Sequence, residues 1–335
     1  MSNVPFSTVG YLTYKRTYSR DIGNGKTEEF EDTIDRVLSA SLTQLHVGFS
    51  EDELMRTKQY MMDLKISVAG RFLWQLGTRT VKQYGLPSLQ NCAATVVDEP
   101  VRPFTWAMDM LMLGAGVGYN IQKEHVDKLP KVSRKFVPPV RLDNASADFI
   151  VPDTREGWVQ LLGKVLKAAF YADRKTTFTY STHCVRGYGV PIKGFGGVAS
   201  GPEILVTGIN QIAKVLEDRK GQKMRPIDVL DIMNIIGSIV VAGNVRRSAQ
   251  IAIGDSDDLE YLNAKRWDLG NIPNWRAMSN NSIVWDGKTE LPEEFWAGYE
   301  GKGEPYGLIN LDLSRKIGRL GETQYPDPEV ICYNP

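Results

Sequence analysis

Three cysteines bound the chemistry available to this 335-residue chain: Cys92, Cys184 and Cys332. A thiol can act as nucleophile, metal ligand or redox group. The metal spacing C-x-x-C is absent, and an odd count argues against a disulfide scaffold. Taken singly, each cysteine reads as a small buried hydrophobe. Cys92 lies in NCAATVV, a short β-branched run that predicts a buried strand. His46, His125 and His183 are too scattered to define a metal site.

Glycine is concentrated where backbone could approach a ligand. GAGVGYN (114–120) lacks the third glycine of a dinucleotide fingerprint and follows a predicted helix instead of a strand, so that reading is rejected. Gly116 and Gly118 there serve either close approach of a ligand or a tight turn. KGFGGVASGP directly precedes a predicted helix whose N-terminus suits phosphate, with Lys193 adding charge, or else threads a crowded junction. GNVRRS sets Gly243, Asn244, Arg246 and Arg247 at the entry to a strand, as a fork for phosphate or as solvated charge. Several phosphate-tolerant loops in one chain favour a nucleotide-like ligand. The last residues, EVICYNP, read as the end of a strand over Ile331, Cys332 and Tyr333, with Asn334-Pro335 opening a loop.

Elements must position these groups. The first ninety residues predict helices: apolar Ile34, Val37, Leu38 and Leu42 repeat with helical period, and Ser50 with Glu53 forms a capping box for a second helix that Gly70 ends or interrupts. FTWAMDMLMLGAG predicts an apolar helix. Residues 120–150 read as an excursion or linker rich in Lys, Pro and Val. Further helices are expected at EGWVQLLGKVLKAAF, with Thr154 as its cap, and near 203–218 and 226–242. SAQIAIG, NSIVWD and YGLINLDL predict strands, and the alternation gives an α/β class. Hydrophobic residues make up 42% and charged residues 24%, with forty basic against forty acidic side chains. That balance sets up no global field for nucleic acid or an anionic membrane. The chain shows neither a bilayer-length apolar run nor a signal-peptide core, which predicts a cytoplasmic protein.

In order along the chain, GRFLW, QNCAATVV, GAGVGYN, PDTREGW, GFGGVASGP, VVAGNVRRSAQIAIG, SNNSIVWD, GEPYGLINLDLSRKIGR and the final NP resemble the adenosylcobalamin-dependent (class II) ribonucleotide reductases, particularly the monomeric ribonucleoside-triphosphate type. The resemblance runs from about residue 70 to Pro335. It implies the first half of a ten-stranded α/β barrel (86–335), an N-terminal helical region (1–85) and an inserted effector-nucleotide region (120–240). Cys92 matches the family's reducing thiol, which forms a disulfide with a second cysteine during turnover. Asn334 matches the start of the finger-loop motif Asn-Pro-Cys-x-Glu and is expected to hydrogen-bond the ribose hydroxyls. The cysteine and glutamate of that motif are not among the 335 residues. Cys332 and Cys184 are read as structural.

Arg71, Asn91, Ala115 and Gly116 fall where the family lines its substrate pocket, and Gly243, Asn244, Arg246 and Arg247 where it has its specificity loop. The expected cofactor is adenosylcobalamin, bound mainly by a C-terminal portion of the reductase that is a separate chain or joined through an intein. A truncated sequence is the plainer explanation of the same ending. The other expected partners are a ribonucleoside triphosphate, a deoxynucleotide effector and a thioredoxin-like reductant. A diphosphate-type large subunit and a non-catalytic nucleotide-binding protein are the alternatives, and a C-terminal partner carrying Cys-x-Glu separates the latter from a reductase.

Overall fold

A computed structural model describes residues 6–171, 177–190, 198–241, 249–302 and 306–317. The chain divides into two compact units, 1–91 and 92–335.

The first unit holds helices α1 (Thr8–Thr17), α2 (Phe30–Thr43), α3 (Glu51–Met62), α4 (Gly70–Gln75) and α5 (Arg79–Tyr84), with a small ribbon of strands β1 (Asp21–Gly23) and β2 (Lys26–Thr27). Helix α2 buries Phe30, Ile34, Val37 and Leu38, the apolar stripe expected of a helix facing a core. Tyr14, Phe30, Ile34, Leu38 and Met61 make one cluster, and Val37, Ala40, Leu76, Val81 and Leu89 a second. The Ser50 capping box forms: the Glu53 amide donates to Ser50 Oγ at 3.3 Å, and the Ser50 amide to Glu53 Oε2 at 2.9 Å. Gly70 corrects its expectation. Helix α3 stops earlier, at Met62, where Leu64 adopts a left-handed φ of 57°, and Gly70 opens α4. A Cβ at Gly70 would lie 3.0 Å from the Tyr18 hydroxyl, a tight contact that a larger residue could make only if that ring shifted.

The second unit contains α6 (Arg102–Met112), α7 (Lys123–Val126), α8 (Arg155–Phe170), α9 (Glu203–Asp218), α10 (Pro226–Val241), α11 (Leu259–Leu262), α12 (Glu293–Ala297) and α13 (Leu311–Lys316). Its main sheet comprises β3 (Cys92–Val96), β4 (Gly116–Asn120), β8 (Gln250–Asp255), β9 (Ser279–Trp285) and β10 (Gly307–Asn310), side by side in chain order and parallel throughout. Parallel neighbours need crossovers, and helices supply them: α6 between β3 and β4, α11 between β8 and β9, α12 between β9 and β10. Between β4 and β8 lies a long excursion. It includes β5 (Val140–Arg141), β6 (Phe149–Ile150) and β7 (Thr179–Ser181), a second parallel sheet in the order β5-β7-β6, so residues 120–150 are more than a linker.

Helices α6, α8, α9 and α10 pack against one another, and α6 and α10 against the sheet. Helix α10 is apolar nearly all round, as a helix buried on every side must be. Thr154 caps α8, its Oγ1 accepting from the Gly157 amide at 3.0 Å. Gly208 of α9 lets α10 approach closely, since a Cβ there would meet Ile239 at 2.3 Å.

Alternation and register assign the two faces of the sheet. Val117, Tyr119, Gln250, Ala252, Gly254, Ser279 and Asn281 look toward the helices. Tyr261 seals part of that face: its hydroxyl lies 3.0 Å from the carbonyls of both Ala252 and Ser282, and its ring covers Gly254. A Cβ at Gly254 would come within 2.6 Å of that ring. Gly254→Ala is therefore expected to cost about 1–3 kcal/mol through overpacking, read as a lower denaturation midpoint in urea. An unchanged midpoint would show that the ring can move aside.

Candidate active site

Cys92, Ala94, Gly116, Gly118, Ile251 and Asn280 occupy the opposite face of the sheet near its N-terminal edge. Cys92 pairs in register with Gly116, and Ala94 with Gly118. Gly118 pairs with Ile251, which pairs with Asn280. Farther along the same face, Ile253, Val284 and Ile309 close into an apolar cluster. Cys92 is a half-buried thiol at the first residue of its strand. Its immediate cross-strand neighbour is bare backbone, so nothing branched stands beside the sulfur on that side. A thiol on a rigid strand end, next to a glycine-lined strand, suits redox chemistry on a closely approaching ligand.

GAGVGYN is a strand and not a glycine turn: only its opening Gly114, at φ +82°, turns the chain, and Gly116–Asn120 is buried β4. Ala115 sits at the helix-to-strand junction, 2% exposed, its amide donating to the Met110 carbonyl at 3.0 Å. Tyr119, on the helix side of β4, has its phenol pushed well above the usual value, chiefly by burial. Within the first unit, Arg71 and Asn91 come together: Arg71 Nε donates to Asn91 Oδ1 at 3.3 Å, and the guanidinium lies 5.3 Å from the centre of the Trp74 ring. Gly243, Asn244, Arg246, Arg247, Cys332 and Asn334 lie outside the described residues, as do residues 193–197 of KGFGGVASGP. The helix that follows that loop, α9, begins with Glu203, whose carboxylate is forked by Arg141 Nη1 at 2.9 Å to each oxygen. A carboxylate thus stands at that helix start, where the sequence offered either a phosphate site or a crowded junction.

Cys184 is exposed, and the neighbouring His183 Nδ1 lies 2.5 Å from Ser181 Oγ. Among the described residues no group of His, Cys, Asp and Glu could hold a metal ion. Asn280 is the residue that sequence reasoning missed. It is exposed between buried neighbours on a central strand and shares the face of Cys92. The signal was the polar run SNNS, which reaches into the start of the predicted strand NSIVWD; once the strand extends back to Ser279, one asparagine must face away from the helices.

Comparison with known proteins adds the following. Residues 1–78 match the ribonucleotide reductase alpha domain, and residues 132–216 the insertion domain of B12-dependent ribonucleotide reductase. The adenosylcobalamin-dependent ribonucleoside-triphosphate reductase of Lactobacillus helveticus is 32% identical over 94% of this chain and 50% of its own length. That of Euglena gracilis is also 32% identical, over 98% of this chain and 46% of its own. A crystal structure of a B12-dependent (class II) ribonucleotide reductase superposes with a TM-score of 0.80 at 28% identity, covering 95% of this chain and 51% of that one. The chain thus spans about half the length of the relatives it matches. Its α/β fold, with five parallel strands in chain order, is that of the corresponding half of the class II enzyme.

Proposed function

We propose that this chain, which resembles the adenosylcobalamin-dependent ribonucleoside-triphosphate reductases along nearly its whole length, forms the N-terminal part of such an enzyme and supplies its reducing thiol and effector region. The observation that carries the reading is the placement of Cys92 opposite Gly116 at the edge of a five-stranded parallel sheet. In this reading Cys92 and a second thiol are oxidised to a disulfide while the ribose C2′ is reduced and its hydroxyl leaves as water. The atoms and electrons balance for one dithiol per nucleotide.

Adenosylcobalamin supplies radical chemistry to the relatives that carry it in their names. No described residue of this chain is assigned to it. In the proposal the cofactor, the radical cysteine and the general base belong to polypeptide outside these 335 residues, whether a separate chain or one joined after Pro335. Arg71, Asn91, Ala115 and Gly116 line the substrate side, Asn334 holds the ribose hydroxyls, and Gly243, Asn244, Arg246 and Arg247 relay effector identity. A thioredoxin-like protein re-reduces the disulfide, and the setting is cytoplasmic. Among the described residues no helix is long and apolar enough to cross a membrane.

Asn280 joins this list as a substrate contact. The N-terminal patch it shares with Cys92 presents one thiol, one amide, and otherwise small or apolar groups. A neutral amide, donor and acceptor at once, suits the edge of a nucleobase better than a phosphate. Asn280→Ala is expected to raise KM about tenfold, one hydrogen bond's worth, with kcat nearly unchanged. An unaltered KM would remove Asn280 from the site.

The deciding experiment is reconstitution. The purified chain with a polypeptide carrying the Cys-x-Glu half, adenosylcobalamin and a dithiol should convert ribonucleoside triphosphates to deoxynucleotides. The chain alone should not. Reduction by the 335-residue protein by itself, with cofactor and thiols, would overturn the half-enzyme reading.

A further inference from the structure

Behind the sheet, on the face turned away from Cys92, four buried side chains carry polar atoms without a hydrogen-bond partner. These are the Tyr119 hydroxyl, which has the Ser279 side chain close by but outside hydrogen-bond geometry, both amide atoms of Asn234, Gln250 Oε1 and Asn281 Nδ2. Tyr119 lies opposite Ala252, which lies opposite Asn281, and Gln250 precedes Ala252 by two positions on the same face. Helix α10 closes over them. Gln250 Nε2 donates to the Met233 carbonyl at 2.9 Å, and the Asp231 carboxylate is near enough to act on the Tyr119 phenol. Asn234 follows Asp231 by three residues, on the same helical face, and is 0% exposed. The strand groups and the helix group therefore meet at one sheet–helix interface.

Their remaining capacities are complementary. Asn234 Oδ1 and Gln250 Oε1 accept, Asn234 Nδ2 and Asn281 Nδ2 donate, and the phenol does both. Asn281 Oδ1 is already engaged, accepting from Ser279 Oγ at 2.8 Å. Yet these groups do not reach one another. Buried polar atoms in folded proteins are almost always satisfied, and a buried water typically makes about three hydrogen bonds to such groups. We propose that Tyr119, Asn234, Gln250 and Asn281 hold a cluster of ordered water molecules between α10 and the sheet, with Asn234 as its anchor on the helix.

The cluster has a consequence that rests on the effector reading of Gly243–Arg247. Helix α10 ends at Val241 and β8 begins at Gln250, so both elements flanking that segment are tied to the same waters. Asn234 is then a positioning residue: it sets how α10 sits on β8 and so how effector identity biases substrate choice.

Two measurements on the complete reductase test this. A high-resolution crystal structure should show ordered water bridging Asn234 to at least one of the three strand residues. Direct pairing of these side chains with no water among them would overturn the proposal, whether or not the protein reduces nucleotides. Asn234→Leu should weaken the effector-induced change in substrate preference by about fivefold or more, while turnover without effector stays within the wild-type range. Asn234→Ser, which leaves a hydroxyl and room for water, should keep the effector response. A normal response in Asn234→Leu would refute the positioning role even with the waters in place. Should Asn234→Leu fail to fold, the wild-type structure and Asn234→Ser still decide.

Discussion

Cys92→Ser, introduced into the reassembled reductase, is expected to abolish sustained turnover and to leave no more than about one product per enzyme with a dithiol as reductant, because a serine cannot enter thiol–disulfide exchange. The substitution changes one atom at a half-buried strand end beside a glycine, so folding should be spared, and circular dichroism would show it. Cys184→Ser supplies the contrast. Cys184 is exposed and takes no part in the sheet face that carries Cys92, so multiple turnover should persist. Product counted per enzyme under quench conditions separates the cases. Repeated turnover by Cys92→Ser would reject the reducing-thiol assignment, whereas loss of turnover in Cys184→Ser would move the second thiol into this chain.

Local signals in the sequence were the most legible. The Ser50–Glu53 box and the Thr154 cap are contacts within four residues, and the structure forms both. The strands at 92–96, 250–255 and 279–285 were readable because β-branched and apolar runs lie between turn signals. What stayed hidden depended on tertiary contact. Helix α3 ends at Met62, two residues before the left-handed Leu64, and no glycine or proline announces the stop. At Gly70 the tight neighbour is the Tyr18 hydroxyl, a residue far away in sequence. The glycines of β4 look like a turn until the strand is built, and strands of two residues, such as Val140–Arg141, are too short to show a period. For the site, the ordered resemblance singled out Cys92 as a candidate, but only the register could place Asn280 on its face. The buried layer around Asn234 was equally invisible, because α10 reads as a continuous apolar helix.

The first unit carries a second large effect, at Glu28. The residue is 4% exposed, and its carboxylate is bound on every side. Arg36 donates to it through Nε at 2.7 Å and Nη2 at 3.0 Å, Thr33 Oγ1 at 2.7 Å and the Arg20 amide at 3.2 Å. Arg36 also donates to the carbonyls of Leu73 and Leu76, joining α2 to α4. Burial favours the neutral acid, but the hydrogen bonds from Arg36 and Thr33 outweigh it and hold the Glu28 carboxyl below its usual range. Glu28→Gln keeps the shape and removes the charge, leaving Arg36 buried without its counter-ion. Breaking a buried pair in this way costs about 3–5 kcal/mol, enough to unfold a marginal unit. The pH dependence follows from the depressed value. The stabilisation is fully present above the unfolded carboxyl pKa of about 4.3 and is lost as pH falls through the lower folded value. Urea denaturation from neutral to acidic pH should therefore show Glu28→Gln less stable at neutral pH, with the gap to wild type closing in acid. A constant gap across that range would mean that the side chain acts through packing and not through its charge.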